Sequence, residues 1–378
     1  MSDQAIRKIV FLTGTRADFG KLKSLMLQLQ ADACFEVHVF VTGMHMLSKY
    51  GSTWEEVRKA GLNNLYCFIN QNEHDSMDHI LAKTIAGLSD YVKEMSPDLI
   101  VVHGDRLEAL AGAIVGAFNN IRVAHIEGGE VSGTIDEVIR HSISKMSHLH
   151  FVANDQAKRR LIQLGERDET IHVIGSPDVD VMNSSALPSL EEVQRYYEFN
   201  FAEYAILMFH PVTTELRLIR NQIATLVDVI LESGQNFVVL YPNNDHGTDI
   251  ILDEYERLRD CARIALYPSM RFEYFLTLLK RARYMIGNSS AGIREAPHFG
   301  VPTINLGSRQ HRRVQTPSVL DVTITHEAIR DAIARAPSAP RTPQILFGDG
   351  NSASAFHQVL RAKETWLREI QKHFVDYM

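Results

Sequence analysis

The feature that most constrains what this chain can fold into is the repeated alternation of two patterns along it. Short apolar, β-branched runs recur at Lys8 to Gly14 (KIVFLTG), Phe35 to Gly43, Leu99 to Gly104, Val123 to Glu127 and Leu149 to Ala153. Such runs read as buried parallel strands. Between them lie helical patterns, among them Leu22, Leu25, Met26 and Leu29 at i, i+3, i+4 and i+7, and the small-residue stretch Leu107 to Phe118. Strand alternating with helix predicts an α/β class with a doubly wound sheet.

After Ile171 to Ser176 a polar segment follows with Pro177, Asn183, Ser184, Ser185 and Pro188, closed by Ser189 to Glu192 at capping-box spacing. A domain boundary is expected there, with a Rossmann-like domain over 1–176 carrying acid-base residues and a second over 177–360. The second half repeats the logic, with runs at Tyr204 to Phe209, Asn236 to Tyr241, Arg263 to Tyr267, Arg283 to Gly287 and Thr303 to Gly307. Residues 361–378 are expected to form a C-terminal helix that packs back on the first domain. Two facing sheets of this kind would bind a ligand at their carboxyl edges, on opposite walls of one cleft.

Composition narrows the function. With 45% hydrophobic and 22% charged residues, the 378-residue chain can bury the cores of two domains. A net charge of −7 provides no diffuse basic field for a nucleic-acid backbone or an anionic membrane, so a bound anion needs a local site. Cys34, Cys67 and Cys261 are too few and too scattered for a disulfide framework or a CxxC metal knuckle. The N-terminal apolar run is too short for a signal peptide, and no stretch approaches the ~18 apolar residues of a membrane span. A cytoplasmic protein with a small-molecule substrate is the expectation.

The first strand runs into Gly14-Thr15-Arg16-Ala17-Asp18-Phe19-Gly20-Lys21. It is no Walker A loop, because five residues separate its glycines and Leu22 follows the lysine. What remains is a strand-to-helix turn with Arg16 and Lys21, where anion contact and a plain turn are both open. No GxGxxG follows a strand, so a dinucleotide cofactor is not expected. Three carboxylates, Asp105, Glu127 and Asp136, stand at or just past strand ends. Singly each fits a helix cap or a surface charge; together with Gly128, Gly129 and Arg140 they favour an acid-base site.

In the second half His210 interrupts a buried strand in FHPVTTE, and a core histidine satisfied by backbone is the alternative reading. Gly287-Asn288-Ser289-Ser290-Ala291-Gly292-Ile293-Arg294-Glu295 is a strand, a polar turn and a helix start. Its hydroxyls and N–H groups suit a phosphate, and Glu295 suits a ribose diol. Arg309, Arg312 and Arg313 fit either a diphosphate or a solvated basic face. His141, His148 and His150 match no metal-ligand spacing, and His148 and His150 read as structural, so no metal is expected.

Eight collinear blocks carry a resemblance over nearly the whole chain: GTRADFGK, HGDRLEALA, HIEGGEVSGTIDEVIRHSISK, HPVTTE, PNNDHG, GNSSAGIRE, LGSRQ and GDGN. In these the chain resembles the hydrolysing UDP-N-acetylglucosamine 2-epimerases that open sialic-acid synthesis, and is similar to the epimerase half of the animal epimerase/kinase. The resemblance implies a two-domain glycosyltransferase-B arrangement, a homodimer or homotetramer, and no cofactor. It places UDP on the second domain, with Ser289 and Ser290 at the diphosphate, Gly292 among the substrate-binding residues, Glu295 on the ribose, His210 and Arg313 near the phosphates, and Arg16 reaching in from the first domain. Lys21, His45 and Arg140 match family positions around the sugar, with Asp105, Glu127 and Asp136 as the acid-base set beside His210.

The hydrolysing branch is favoured because the chain has GTRAD and GNSSAG where non-hydrolysing relatives carry GTRPE-type and TDSGG-type motifs. Enzymes acting on nucleotide-linked diacetamido sugars often read HIHGGE where this chain reads HIEGGE, so they stand as the less favoured alternative. A glycosyltransferase of the same fold is a second alternative, set against the carboxylate set of the first domain.

Overall fold

The structure is a computed structural model that describes residues 6–72, 75–132, 135–310, 313 and 316–376. The first half of the chain supplies strands β1 (Arg7–Thr13), β2 (Phe35–Val41), β3 (Asn64–Cys67), β4 (Leu99–His103), β5 (Arg122–Ile126), β6 (Leu149–Val152) and β7 (Ile171–Val173). They pair in parallel in the order β3-β2-β1-β4-β5-β6-β7. The second half supplies β8 (Ala205–Met208), β9 (Phe237–Leu240), β10 (Ile264–Tyr267), β11 (Met285–Gly287), β12 (Thr303–Leu306) and β13 (Val319–Val322). These are also parallel, in the order β10-β9-β8-β11-β12-β13. The α/β doubly wound class read from the alternation is the class observed.

Each order reverses once, between β1 and β4 in the first sheet and between β8 and β11 in the second. At such a reversal the loops on either side leave in opposite directions, and a crevice opens at the carboxyl edge. Register fixes which residues flank it: Phe11 lies opposite Val101, and Gly287 opposite Met208. By internal packing the chain divides into one unit of Met1–Glu130, Asp136–Asn183 and Phe347–Met378, and another of Val131–Ile135 and Ser184–Leu346.

Both faces of the first sheet are covered. Ile9 and Phe11 of β1 pack with Leu22, Leu25, Met26 and Leu29 on one face, while Val10 and Leu12 pack with Ala109 and Ala113 on the other. That strict alternation is the period of a strand expressed on two buried faces. The helix Leu107–Phe118 lies close to the sheet because its facing residues are small: a Cβ on Gly112 would stand 2.5 Å from Val102 Cγ1. In the second unit Leu207, Phe237 and Val239 share a core with Ile223, Leu226, Val227 and Ile230 of the helix Leu216–Glu232.

The chain's end returns to the first unit. Phe356, on the helix Ser352–Arg361, is fully buried and packs its ring 4.6 Å from that of Phe151 and 6.2 Å from that of Phe11. A helix over 361–378 is expected, but after an extended Ala362 the last helix is Lys363–Leu367, and residues 368–376 have no regular structure. Side chains take the carbonyls that a continuing helix would use. Arg122 donates Nη2 to the carbonyls of Trp366 and Arg368, and His148 donates Nε2 to that of Ile370 at 3.0 Å.

His148 can do this because its Nδ1 accepts the Val123 N–H at 3.0 Å, which leaves the proton on Nε2. Burial pushes its pKa down to about 4, and does the same to His45 and His172, while His125 falls to about 3. Each folded value lies below the usual 6.5, so acid protonates the unfolded chain first. The stability these neutral rings contribute is therefore complete above that value and falls as pH drops toward about 4, with a slope approaching about 1.4 kcal/mol per pH unit for the fully buried His45 and His125 and a smaller one for the more accessible His148 and His172. Calorimetric unfolding between neutral pH and pH ~4.5 should show the first unit losing stability steeply; a flat profile would contradict the buried neutral histidines.

Candidate active site

The turn after β1 is built around Asp18. Thr15 caps the helix Arg16–Gln30 by accepting from the Asp18 N–H, and Asp18 closes the capping box. Its carboxylate accepts from the Thr13 hydroxyl at 2.7 Å, the Gly14 N–H at 3.0 Å and the Thr15 N–H at 2.9 Å. Those donors stabilise the turn itself. Arg16 makes a two-pronged pair with Glu56, Nε to Oε2 at 2.8 Å and Nη2 to Oε1 at 2.6 Å. Lys21 is buried, with Nζ 3.0 Å from Asp178 Oδ2 and 3.8 Å from Glu127 Oε2.

His45 is fully buried beside this turn. Since the Thr13 hydroxyl donates its one hydrogen to Asp18, it accepts from His45 Nε2 at 3.1 Å, and His45 Nδ1 accepts from the Thr53 hydroxyl at 2.6 Å. The ring is thereby fixed as the neutral Nε2–H tautomer. Burial, which lowers its pKa to about 4, keeps it uncharged near neutrality.

Beyond β4 and β5 stand the carboxylates. Asp105 is paired with the guanidinium of Arg140, which is itself 3% exposed and also donates to the Glu130 carbonyl at 3.3 Å. Asp136 lies in the first turn of the helix Ile135–Met146, where the helix dipole favours a negative charge. Glu127 follows β5 directly and has φ +63°, a left-handed conformation that costs a non-glycine residue about 1 to 2 kcal/mol. Its N–H bonds the Phe151 carbonyl at 2.8 Å, which holds the turn. His103 Nε2 donates to its Oε2 at 3.1 Å, and the Ser176 hydroxyl donates to its Oε1. Ser176 is in turn anchored by its own N–H to the Phe347 carbonyl at 2.7 Å. Glu127 is thus a buried carboxylate in a strained backbone conformation, oriented by two hydrogen-bond donors and faced by a lysine.

The second unit assembles its residues at the β8–β11 reversal. Gly287 has φ +133°, and a Cβ there would stand 1.9 Å from the Met208 carbonyl oxygen, so only glycine lets the two strands pair this closely. The next residue, Asn288, is 1% exposed and clamps the end of β8. Its Oδ1 accepts the His210 N–H at 2.7 Å and its Nδ2 donates to the His210 carbonyl at 2.8 Å. The Asn288 carbonyl accepts from Gln310 Nε2 at 2.7 Å and Arg309 Nη1 at 3.3 Å. His210 Nδ1 accepts the Asn243 N–H at 3.0 Å, so a neutral ring carries its proton on Nε2.

Ser289 caps the short 3-10 turn Ser290–Gly292, and the amides of Ser289 and Ser290 donate to no protein acceptor among the described residues. Glu295 opens the helix Glu295–His298 and is 4% exposed. Arg313 donates Nε to the Val131 carbonyl at 2.7 Å, while Arg312 lies outside the described residues.

The structure thus joins Asp105 to Arg140 and Lys21 to Glu127 directly, and sets His210 beside the turn that carries Ser289, Ser290 and Gly292. Four participants had no assignment from sequence: His103, Ser176, Asp178 and Asn288. His103 and Asn288 sit inside HGDR and GNSS, at strand ends where such residues can be suspected. Ser176 and Asp178 meet Glu127 and Lys21 only through the fold. Among the described residues no group of three or more His, Cys, Asp or Glu side chains is placed to hold a metal ion.

The family model described as UDP-N-acetylglucosamine 2-epimerase matches residues 27–361. A UDP-N-acetylglucosamine 2-epimerase of Neisseria meningitidis serogroup B is 49% identical over 98% of this chain and 99% of its own. A hydrolysing UDP-N,N'-diacetylbacillosamine 2-epimerase of Legionella pneumophila is 33% identical over 94% of this chain and 96% of its own. The crystal structure of a Neisseria meningitidis UDP-GlcNAc 2-epimerase bound to UDP-GlcNAc shares the fold, with a TM-score of 0.79 over 93% of this chain and 99% of that one at 18% identity. A match to most of the chain, with a near-full-length relative at this identity, makes the chain a member of the UDP-N-acetylglucosamine 2-epimerase family.

Proposed function

We propose that this protein hydrolyses UDP-N-acetylglucosamine with inversion at C2, releasing UDP and N-acetylmannosamine. The observation that carries this reading is Glu127, a carboxylate held in a left-handed turn between His103, Ser176 and Lys21 at the edge of the first sheet. Support for the substrate comes from the 49% identical relative, which is named for UDP-N-acetylglucosamine.

The chemistry requires two stages. The hydrogen on C2 of the sugar is not adjacent to a carbonyl, so no enolate can form while UDP is attached. The C1–O bond to the diphosphate breaks, its electron pair leaves with UDP, and a carboxylate takes the C2 proton to give 2-acetamidoglucal. Water then adds hydroxyl to C1, and C2 receives a proton on the opposite face. Asp105, Glu127 and Asp136 are the acid-base set for these transfers. Arg140 holds Asp105 in place, and Lys21 offsets the charge of Glu127 and Asp178. His45, neutral and with both nitrogens engaged, orders the turn after β1 and carries no proton in the reaction.

At the other end of the substrate, Ser289, Ser290 and His210 Nε2–H supply donors, and Arg313 a cation, for the negative charge that develops on the departing diphosphate. Such fixed donors stabilise a transition state without reorganisation. Glu295 accepts from the ribose diol.

Incubation with UDP-N-acetylglucosamine in heavy water should give UDP and free N-acetylmannosamine with deuterium at C2, read by product NMR. Accumulation of UDP-N-acetylmannosamine would overturn the hydrolytic reading. Among Asp105→Asn, Glu127→Gln and Asp136→Asn, at least one should slow hydration more than elimination and release 2-acetamidoglucal, while turnover falls by roughly two to four decades. Near-wild-type turnover in all three folded variants would make the carboxylates structural.

A further inference from the structure

Outside the acid-base set, another buried carboxylate stands beside the strand reversal of the first unit. Glu108 stands in the first turn of the helix Leu107–Phe118, which follows β4, and is 3% exposed. Its Oε2 has no hydrogen-bond partner among the described residues. Arg106 Nε, 3.5 Å from that oxygen, offsets charge without making a hydrogen bond. A buried carboxylate with an unmet oxygen is costly, so its retention calls for a use.

The position of Glu108 indicates what that use is. Its side chain reaches back over the ends of β1 and β2, into space that two glycines leave open. A Cβ on Gly14 would stand 2.8 Å from Glu108 Cδ. A Cβ on Gly43, which has φ +63°, would stand 2.6 Å from Glu108 Oε1. Three loops, following β1, β2 and β4, therefore converge on this carboxylate at the carboxyl edge where an open α/β sheet takes its ligand.

Chemistry then selects the part of the ligand. An ionised carboxylate accepts hydrogen bonds and repels anions, so its partner is a neutral donor and not the diphosphate. On the reading above, the uridine diphosphate belongs to the second unit, and C1 and C2 of the sugar to Asp105, Glu127 and Asp136. The acetamido N–H is carried by C2, so the donors that remain are the hydroxyls on C3, C4 and C6. We infer that Glu108 is a substrate-binding, specificity-determining residue that accepts a hydrogen bond from a hydroxyl of the N-acetylglucosamine ring; this rests on UDP-N-acetylglucosamine being the substrate.

Glu108→Gln keeps the shape and removes the charge. Steady-state kinetics should show KM for UDP-N-acetylglucosamine raised roughly ten- to hundredfold, the worth of a hydrogen bond to a charged group. The inhibition constant of UDP, which lacks the sugar, should stay within about twofold of wild type, and so should kcat. The unfolding temperature should be unchanged. A KM within twofold of wild type, or a UDP inhibition constant that rises in step with KM, overturns the assignment. A kcat loss at constant KM overturns it as well. Wild-type protein inert toward UDP-N-acetylglucosamine overturns the proposed function and this inference with it, whereas an active wild type with an unaffected Glu108→Gln overturns the role of Glu108 alone.

Discussion

Close parallel pairing at two strand reversals is the constraint on which both groups of candidate-site residues depend. In the second sheet β8 and β11 approach so nearly that a single methyl group at Gly287 would collide with the Met208 carbonyl. The approach brings Asn288 against the end of β8, where its amide satisfies both backbone groups of His210. His210 and the Ser289-Ser290 turn are therefore parts of one rigid assembly. In the first sheet the pairing of β1 with β4 sets the turn after β1 beside the loop that carries Asp105, and the helix Leu107–Phe118 can lie close to the sheet because Gly112 faces Val102.

Polar residues buried at these edges are stabilised by one another. Asp18 stitches three donors of its own turn, His45 is trapped between two threonines, and Lys21 is shared between Glu127 and Asp178. The left-handed backbone of Glu127 and the unmet oxygen of Glu108 run against stability. Departures from local preference of this kind concentrate where a protein must meet a ligand, because the missing partner arrives with it. Glu127 holds its conformation only while Phe151, His103 and Ser176 remain in place around it.

Much of the fold was legible because central strands declare themselves. The runs beginning at Lys8, Leu99 and Val123 are buried on both faces, and their continuous apolar character survives in the sequence. Three strands escaped, and all lie at sheet edges: β3 (NLYC) and β13 (VLDV) are four residues long and largely accessible, and β7 (IHV) has only three residues, so none shows an apolar run or a clean alternation. The chain's last stretch escaped for another reason, since distant Arg122 and His148 decide its course by taking its carbonyls. Within the candidate site, residues at strand ends could be picked out by motif. Ser176 and Asp178 could not, because their partners Glu127 and Lys21 lie far away in sequence, as does Phe347, which anchors Ser176.

On the proposed function, nucleotide binding belongs to the β8–β11 edge and proton transfer to the edge that carries Glu127. Calorimetric titration of UDP into the wild type, Ser290→Ala and Glu127→Gln tests that division most directly. Loss of a hydrogen bond to the diphosphate should weaken UDP binding by Ser290→Ala roughly ten- to hundredfold, while Glu127→Gln stays within about twofold of wild type. Wild-type UDP affinity in Ser290→Ala together with a large loss in Glu127→Gln would contradict it.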